Sequence, residues 1–280
     1  MADFASNFEK KVKSSIIKYK LISNNERVAV AISGGKDSTS LLYLLKKLGY
    51  NVFGIFVDLG IKGNSDENLK RIKEFSKKNE LELKVVDLVK ETGYSLPEIC
   101  DKYQKFYEST NCAICGVIKR HYLNEAAKES GAKLLATGHN LDDEAENLLL
   151  NIFSNNYELC AGLGPKSVDS ESEFFIQRIK PLYDCLNSET KKYADLKGFD
   201  IYPETCPLRI NAFRKDIRDM LKSVKSVDKL KKSLVANFYY LLKKLRADNK
   251  QLSIVKCSQC SGPARNKLCK NCEILEIMKK

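Results

Sequence analysis

Six consecutive residues near the N-terminus have the types and spacing of a phosphate-binding turn. They are Ser33, Gly34, Gly35, Lys36, Asp37 and Ser38. An apolar run over residues 28–32 precedes them and a leucine-rich segment over residues 41–48 follows, which predicts a buried strand, a glycine turn and an amphipathic helix. Glycine lets the backbone approach a ligand closely, and the N–H groups at a helix start bind phosphate oxygens. The turn therefore predicts phosphate binding, with a purely structural glycine turn as the alternative.

Four cysteines near the C-terminus have the spacing of a metal site. They are Cys257, Cys260, Cys269 and Cys272. Two CxxC pairs on either side of a short turn can supply four thiolates in tetrahedral geometry, which is the arrangement of structural zinc sites. A segment this short cannot bury a useful hydrophobic core, so a bound metal would hold it folded in place of a core. We expect structural Zn²⁺ here, with iron in a rubredoxin-like site as the alternative.

A second group of cysteines is less strongly specified by its spacing. Cys112 and Cys115 form an isolated CxxC pair, which suits a redox pair, half of a zinc site or chance. Cys206 precedes Pro207, as the last ligand of some iron–sulfur motifs precedes a proline. Three thiolates suit either an iron–sulfur cluster with one open iron or a persulfide relay. The other cysteines are expected to be small buried apolar residues: Cys100, Cys160 and Cys185.

Alternating strands and helices are predicted to position these residues. In addition to the strand before the glycine turn, strands are expected at residues 51–57, 81–86, 133–137 and 174–179. This alternation predicts an α/β fold, in which a parallel sheet is covered by helices on both faces. Ligands of such folds lie beyond the carboxyl ends of the strands, where the glycine turn and Asp58 both fall. We therefore expect one shared phosphate-ligand site at that edge.

Local signals predict the remaining segments. An amphipathic helix is expected from Phe8 to Tyr19, and Asn64 with Glu67 resembles a capping box at the start of another helix. Residues 88–111 are expected to be irregular, and a helix is expected within residues 184–197. The region after Cys206 is expected to be helical and basic, with three apolar positions: Phe213, Ile217 and Leu221.

Length and composition bound the class of protein. The chain has 280 residues, 43% of them hydrophobic, which is ordinary for a globular protein with one large domain and an appendage. No apolar stretch approaches the roughly 20 residues of a membrane span, and the first residues lack the apolar centre of a signal peptide. We expect a cytoplasmic protein, in which ten cysteines indicate metal binding or catalysis rather than disulfides. The predicted divisions are a helical segment over residues 1–25, an α/β phosphate-binding domain with a basic helical C-terminal part over residues 26–252, and a four-cysteine zinc module over residues 253–280.

Positive charge is concentrated in the last third of the chain. The whole chain carries a net charge of +12, of which +9 lies in residues 209–250, whereas the first 208 residues are nearly neutral. A basic region of this kind, beside a predicted phosphate site upstream, favours docking of a polyanion and indicates a nucleic-acid partner. Arg214, Lys215 and Arg218 are its predicted contacts. A set of solvated lysine-rich helices is the alternative.

The motifs occur in an order that resembles a known family. They are the glycine turn, the CxxC pair before residues 116–120, the segment over residues 137–145, and Cys206-Pro207. Together they resemble the tRNA 2-thiolation branch of the PP-loop ATP pyrophosphatases, and the terminal cysteine module is similar to that of its uridine-modifying members. The resemblance implies a tRNA substrate, ATP cleavage to AMP and pyrophosphate, and sulfur supplied by sulfide, a persulfide or a carrier protein.

The resemblance also implies how the reaction is divided among the residues. ATP would adenylate the C2 oxygen of a tRNA uridine, with the wobble position favoured, before sulfur replaces that oxygen. The glycine turn and Gly138 would bind ATP, with Lys36 neutralising phosphate charge and Asp58 near the nucleoside. Asp142 or Asp143 would position Mg²⁺ or the reacting base.

The same resemblance assigns sulfur transfer, the second half of the reaction, to the cysteine motifs. Cys112, Cys115 and Cys206 would hold a [4Fe–4S] cluster that presents sulfur. Lys119 lies one helical turn after Cys115, so it would face the cluster and the phosphates together. His139 is expected to shape its loop.

Three other functions stay open on the sequence alone. The first is 2-thiolation of another tRNA uridine or of a cytidine. The second is a PP-loop tRNA-modifying ligase with a nitrogen donor, which leaves the CxxC pair and Cys206 unexplained. The third is a zinc-containing RNA-binding protein with a vestigial ATP site. The sequence also leaves open the sulfur donor and whether the chain forms a homodimer.

Overall fold

A five-stranded parallel sheet forms the centre of the molecule, which a computed structural model describes for residues 2–23, 25–167, 175–202, 206–209, 212–248 and 254–279. The strand order is β3-β2-β1-β4-β5. The strands are β1 (Val28–Ala31), β2 (Val52–Asp58), β3 (Leu83–Asp87), β4 (Leu134–Thr137) and β5 (Gln177–Ile179). Each corresponds to a predicted strand, although residue 174, the predicted start of β5, lies outside the described residues. The predicted α/β class with a parallel sheet is confirmed.

Helices cover both faces of this sheet. Within the described residues they are α1 (Ala2–Lys18), α2 (Lys36–Lys47), α3 (Ser65–Lys78), α4 (Leu88–Thr92), α5 (Leu96–Gln104), α6 (Asn111–Glu129), α7 (Leu141–Phe153), α8 (Tyr157–Ala161), α9 (Asn187–Lys197), α10 (Ala212–Ser223), α11 (Val227–Asp248) and α12 (Lys270–Ile277). The predicted helices at residues 8–19 and within 184–197 are confirmed as α1 and α9. No helix in the described ranges is long and apolar enough to cross a membrane.

The core lies on the two faces of the sheet. β1 and β2 are apolar and almost wholly buried, as parallel strands covered on both sides are. On one face, α1 and α2 pack apolar side chains such as Val12 and Leu41 against the sheet. On the other face, α5, α6 and α12 supply residues such as Ile99, Ile118 and Ile274. Full burial of one such side chain contributes roughly 1.5–3 kcal/mol.

The prediction of irregular structure over residues 88–111 is wrong, because this segment contains α4, α5 and the start of α6. The Asp87 carboxylate accepts hydrogen bonds from the N–H groups of Val89 and Lys90, which caps α4. The Glu98 carboxylate accepts from Ser95 N and Ser95 Oγ at the start of α5. Local capping therefore folds this segment into two short helices, and Pro97 lies in the first turn of α5, where proline is tolerated.

Two further local predictions need correction. Asn64 precedes α3, but its own backbone is helical and its side chain caps no N–H group, so the predicted capping box is absent there. Phe213 on α10 is 45% exposed, whereas Ile217 and Leu221 are buried as expected. The buried face of α10 therefore begins one turn later than the apolar pattern indicates.

The terminal cysteines lie in a small module joined to the body of the protein. A two-stranded hairpin, β6 (Val255–Lys256) and β7 (Pro263–Ala264), precedes α12. Ile274, Ile277 and Met278 enter the same core cluster as α5 and α6. The Met278 carbonyl also accepts hydrogen bonds from Tyr94 Oη and Lys102 Nζ. The module therefore packs directly on the helices that cover one face of the sheet.

Candidate active site

A cavity of about 810 Å³ opens at the carboxyl edge of the sheet, between the glycine turn and the first turns of α6. β1, β2 and β4 end at this cavity, where the ligands of parallel α/β sheets bind. Most of the predicted site residues line it: Ser33, Gly34, Gly35, Asp37, Ser38, Cys112, Cys115, Lys119, Gly138, Asp143 and Cys206. The fold therefore brings the glycine turn and the three cysteines to one cavity.

The glycine turn has the geometry of an anion site. Gly34 has a positive φ of 78°, which favours glycine. Ser38 Oγ accepts a hydrogen bond from Ser33 N at 3.1 Å and donates one to the Gly35 carbonyl at 3.1 Å, so the turn is closed from within. Asn68 Nδ2 supports it from α3 by donating to the Ser33 carbonyl at 2.8 Å. Gly35 caps α2 without a side-chain hydrogen bond, which leaves the first N–H groups of that helix available to a phosphate.

Gly138 is needed for close approach between two loops. A Cβ atom at this position would lie 2.8 Å from Ser38 N and 3.0 Å from the Asp37 carbonyl carbon. These are backbone atoms, which cannot move aside as a flexible side chain can. The absence of a side chain at Gly138 thus allows the end of β4 to contact the first turn of α2.

The Asn140 side chain also joins the loop after β4 to the first turn of α2. Its Oδ1 accepts from Asp142 N at 3.0 Å and Asp143 N at 3.2 Å, and its Nδ2 donates to Asp37 Oδ1 at 3.2 Å. Asn140 N in turn donates to Asp143 Oδ2 at 3.1 Å. Burial raises the pKa of Asp143, the hydrogen bond from Asn140 N lowers it, and the charge of Asp37 raises it. Two carboxylates are therefore held close together at the edge of the cavity.

Three predicted residues do not line the cavity. The Lys36 ammonium pairs with Asp37 Oδ2 at 2.6 Å and also donates to Asn187 Oδ1. The Asp58 carboxylate accepts from Gly60 N at 3.0 Å and closes its own turn. The Asp142 carboxylate pairs with Lys231 Nζ at 2.6 Å. Of the two adjacent aspartates offered by the sequence, Asp143 is the one that faces the cavity.

The cysteine side of the cavity is built on the start of α6. Thr110 caps this helix by accepting from Ala113 N at 3.2 Å, so Cys112, Cys115 and Lys119 lie on successive turns. Burial raises the pKa of the Cys115 thiol, the Lys119 charge lowers it, and the thiols of Cys206 and Cys112 raise it. All three thiols line the same cavity, and soft thiolates beside a lysine are a donor set that suits an iron–sulfur cluster.

Two arginines form the far wall of the cavity. Arg120 follows Lys119 on α6, and its Nη1 would lie 3.1 Å from a Cβ atom placed on Gly116, one turn earlier. Arg178 reaches the same wall from β5. Burial lowers the pKa of Arg178, and the neighbouring charge of Arg120 lowers it further. Both arginines line this wall, and the positive charge of Arg120 disfavours the charged form of Arg178.

His139 lies beside the cavity as a neutral imidazole. Its Nδ1 is 2.9 Å from Thr137 Oγ1. His139 is exposed by surface area, but desolvation by the cavity walls around its ring and the charge of Lys180 lower its pKa to about 4. The ring is therefore uncharged at neutral pH, in keeping with its expected role in shaping the loop.

Sequence reasoning gave no role to several residues that build this site. Asn140 could have been found, because asparagine before an acidic first turn is a strong N-cap signal. Asn68 and Arg178 carry no local signal, since their contacts cross from one element to another. The remaining cysteines are buried, as predicted: Cys100, Cys160 and Cys185.

The terminal cysteines converge as the spacing predicts. The Sγ atoms of Cys257, Cys260, Cys269 and Cys272 all lie within 4.8 Å of one another. Burial opposes ionisation of Cys257, but hydrogen bonds from neighbouring backbone N–H groups lower the pKa of its thiol to about 6. A thiolate that already exists at neutral pH is the form that binds metal. The cluster therefore has the donor set and the spacing of a four-cysteine metal site.

Comparison with known proteins places the chain in a family. Residues 4–224, most of the chain, match the PP-loop domain. The chain belongs to the PP-loop family. Among its PP-loop relatives, the tRNA-5-methyluridine(54) 2-sulfurtransferase of Pyrococcus horikoshii is 34% identical over 99% of this chain and 87% of its own length. The cytoplasmic tRNA 2-thiolation protein 1 of Drosophila virilis is 32% identical over 98% of this chain and 80% of its own length.

A solved PP-loop structure has the same architecture over nearly the whole chain. It is the U34-tRNA thiolase NcsA from Methanococcus maripaludis, which was determined with its [4Fe–4S] cluster. The two structures superpose with a TM-score of 0.80 at 28% identity, covering 98% of this chain and 87% of the NcsA chain. The likeness includes the terminal part of this chain as well as the PP-loop domain.

Proposed function

We propose that this chain is an ATP-dependent tRNA 2-thiolase, an enzyme that replaces the C2 oxygen of a tRNA uridine with sulfur. One observation carries the proposal: a single cavity is lined by both the glycine turn and the three cysteines of α6 and its neighbouring segment. Adenylation followed by sulfur transfer requires a phosphate site and a sulfur site within reach of one carbon atom. The names of the relatives, which include tRNA 2-sulfurtransferases and a tRNA thiolase, support the substrate and the reaction.

The glycine turn and α2 perform the adenylation half. Their N–H groups bind the phosphates of ATP, and the uridine O2 attacks the α-phosphorus while the bond to pyrophosphate breaks. The proton on uridine N3 leaves in this step, and the product carries AMP on O2. Asp37 and Asp143 would hold Mg²⁺, since they meet at the cavity edge and no ion pair within the described part of the chain engages Asp143.

The start of α6 performs the sulfur-transfer half. Cys112, Cys115 and Cys206 would hold a [4Fe–4S] cluster, which when bound supplies an iron atom that can coordinate hydrosulfide. Lys119 lines the cavity one turn after Cys115, so its charge stabilises both anionic sulfur and the departing phosphate. Sulfur bonds to C2, the C2–O bond breaks, AMP leaves with the oxygen, and N3 regains a proton.

The proposal also covers which tRNA uridine is modified and which metal the terminal cysteines bind. The relatives' names give two positions, 54 for the Pyrococcus horikoshii enzyme and 34 for NcsA. We propose the wobble uridine, supported by the structural likeness to NcsA, with position 54 as the second candidate because of the higher identity to its enzyme. Zn²⁺ would occupy the four terminal cysteines, and we place the enzyme in the cytoplasm, where its tRNA substrate is available.

An anaerobic reaction with unmodified tRNA tests the proposal. The protein, reconstituted with iron and sulfide, is incubated with Mg–ATP, sulfide and tRNA, and nucleosides are then separated by mass. We expect a thiolated uridine in one-to-one ratio with AMP and pyrophosphate, and digestion mapping gives its position. Release of AMP with ammonia as donor and no sulfur in the tRNA would instead support the ligase alternative. No AMP release under any of these conditions would contradict both.

A further inference from the structure

A second cavity of about 760 Å³ lies next to the active-site cavity. We name it the module groove, because α6 forms one wall and residues 263–271 of the terminal cysteine module form the other. Arg120 and Arg178 line both the module groove and the active-site cavity. The two guanidinium groups therefore stand at the boundary between the two spaces.

These two arginines have no side-chain partner among the residues that the structure describes. No hydrogen bond or ion pair joins either guanidinium group to another residue within the described ranges. By contrast, the predicted nucleic-acid contacts Arg214 and Arg218 both pair with Glu146. Two positive charges that line the same boundary without a described counter-charge favour an anion there, and an anionic ligand that contacts both would offset their charge.

The module groove has the composition of a single-strand nucleic-acid site. Beyond the two arginines, Arg265 and Lys270 add positive charge, against the carboxylates of Glu125 and Glu273. Phe175 also lines the groove with 42% of its surface exposed. Cationic groups for phosphates and an exposed aromatic ring for stacking are the two parts that proteins use to bind unpaired nucleotides.

The position of Arg178 separates this site from the ATP phosphates. Arg178 is in register with Leu135 of β4, which is in register with Ala29 of β1, four residues before Ser33. At about 3.3 Å per residue and about 4.8 Å per strand, its Cα lies roughly 16 Å from the glycine turn. A nucleotide bound in the turn would have to extend across most of this distance to reach the groove, whereas a polynucleotide strand can pass from one space to the other.

We propose that Arg120 and Arg178 bind a backbone phosphate of the tRNA beside the target nucleotide, where the strand passes from the module groove into the active-site cavity. This inference rests on the proposed tRNA substrate. A base that reacts deep in a cavity must leave its stack, so its flanking phosphates need fixed cationic partners. The two arginines are thus positioning residues, which place the target base between the glycine turn and the cysteines.

Neutral substitutions at the two arginines test the inference. Arg120→Gln and Arg178→Gln are compared with Lys13→Gln, which removes one exposed charge from α1, and with the conservative Arg178→Lys. Affinity for unmodified tRNA is measured across a salt series, together with affinity for a non-hydrolysable ATP analogue and the melting temperature. We expect about tenfold weaker tRNA binding and a salt slope reduced by about one for each glutamine variant. Lys13→Gln should match the wild type, and Arg178→Lys should retain part of the affinity.

The other measurements separate this role from a structural role or an ATP-binding role. The melting temperature should stay the same or rise, because each glutamine removes like-charge repulsion, and affinity for the ATP analogue should not change. Wild-type tRNA affinity in both glutamine variants would overturn the inference. A loss confined to the ATP analogue would overturn it too, as would a loss of thiolation with unchanged tRNA affinity, which would indicate a site for the sulfur donor. If the wild type binds tRNA but never thiolates it, the proposed function fails while the arginine result stands.

Discussion

The guanidinium group of Arg218 donates two parallel hydrogen bonds of 2.8 Å to the carboxylate of Glu146. Only 7% of the Glu146 side chain is exposed, and this hydrogen-bonded partner raises the pKa of Arg218. The pair joins α10 to α7, the helix that Asn140 caps beside the active-site cavity. The basic surface predicted from the sequence is therefore partly used inside the protein, where it holds α7 and α10 together.

The first prediction concerns this pair. Arg218→Gln leaves the buried Glu146 carboxylate without its bidentate partner, so we expect a loss of about 1–3 kcal/mol in the free energy of unfolding. Lys215→Gln is the matched control, since 76% of the Lys215 side chain is exposed and its removal should cost little. Chemical denaturation measures both. Equal stability of the two variants would show that the pair does not fix α10.

The second prediction separates the two functions of Asn140. Asn140→Ala removes the cap of α7 and the hydrogen bond to Asp37, so it should lose about 1–2 kcal/mol of stability and most ATP cleavage. Asn140→Ser keeps an acceptor for the cap but has no amide to donate to Asp37. It should therefore retain most of the stability and still cleave ATP slowly. Normal ATP cleavage in the serine variant would show that the contact between Asn140 and Asp37 is dispensable.

The third prediction concerns stability in acid. The pKa of His139 is about 4 in the folded protein, below the ordinary value of about 6.5. Between these values the unfolded chain binds a proton that the folded chain does not, so this group makes stability fall as the pH is lowered through that window. His139→Gln should therefore make the free energy of unfolding less dependent on pH between about 6.5 and 4. Denaturation curves of both proteins across that range measure this. Parallel pH profiles would contradict the low pKa.

The fourth prediction concerns the terminal metal. α12 starts at the cysteine cluster and contributes Ile274, Ile277 and Met278 to the main core, so metal removal should loosen more than the module. We expect chelation to lower the melting temperature by about 5–10 °C, and Cys272→Ser to reproduce the effect without chelator. Calorimetry with metal analysis checks both. An unchanged melting temperature in metal-free protein would show that the hydrogen-bonded thiols hold α12 unaided.

The sequence predicts the parts of this site that follow local rules. The glycine turn is recognisable because it lies between an apolar strand and a leucine-rich helix, and the terminal cysteines are recognisable by their spacing. The parallel sheet follows from the alternation of elements, and the sheet in turn places Gly138 and Asp143 beside the turn. The turn, the cysteine spacing and the individual strands and helices are each recognisable from residues close together in the chain.

The parts that the sequence does not predict depend on contacts between distant elements. The direction of Lys36 is set by Asn187 of α9, and Asp142 is drawn away from the cavity by Lys231 of α11. Arg218 is withdrawn from the surface by Glu146 on another helix. Charged side chains in a sequence show no partner, so their roles can be assigned only once the fold has placed them.

The central claim is that the three cysteines and the glycine turn form two halves of one reaction site. Thiolation of tRNA by reconstituted Cys206→Ala protein, measured by nucleoside mass spectrometry, tests it most directly, with Cys160→Ala as a control for a buried cysteine outside the cavity. We predict that Cys206→Ala folds, binds ATP and forms no thiolated uridine, whereas Cys160→Ala thiolates as the wild type does. Thiolation by Cys206→Ala at the wild-type rate would contradict the three-cysteine site and with it the account of this cavity.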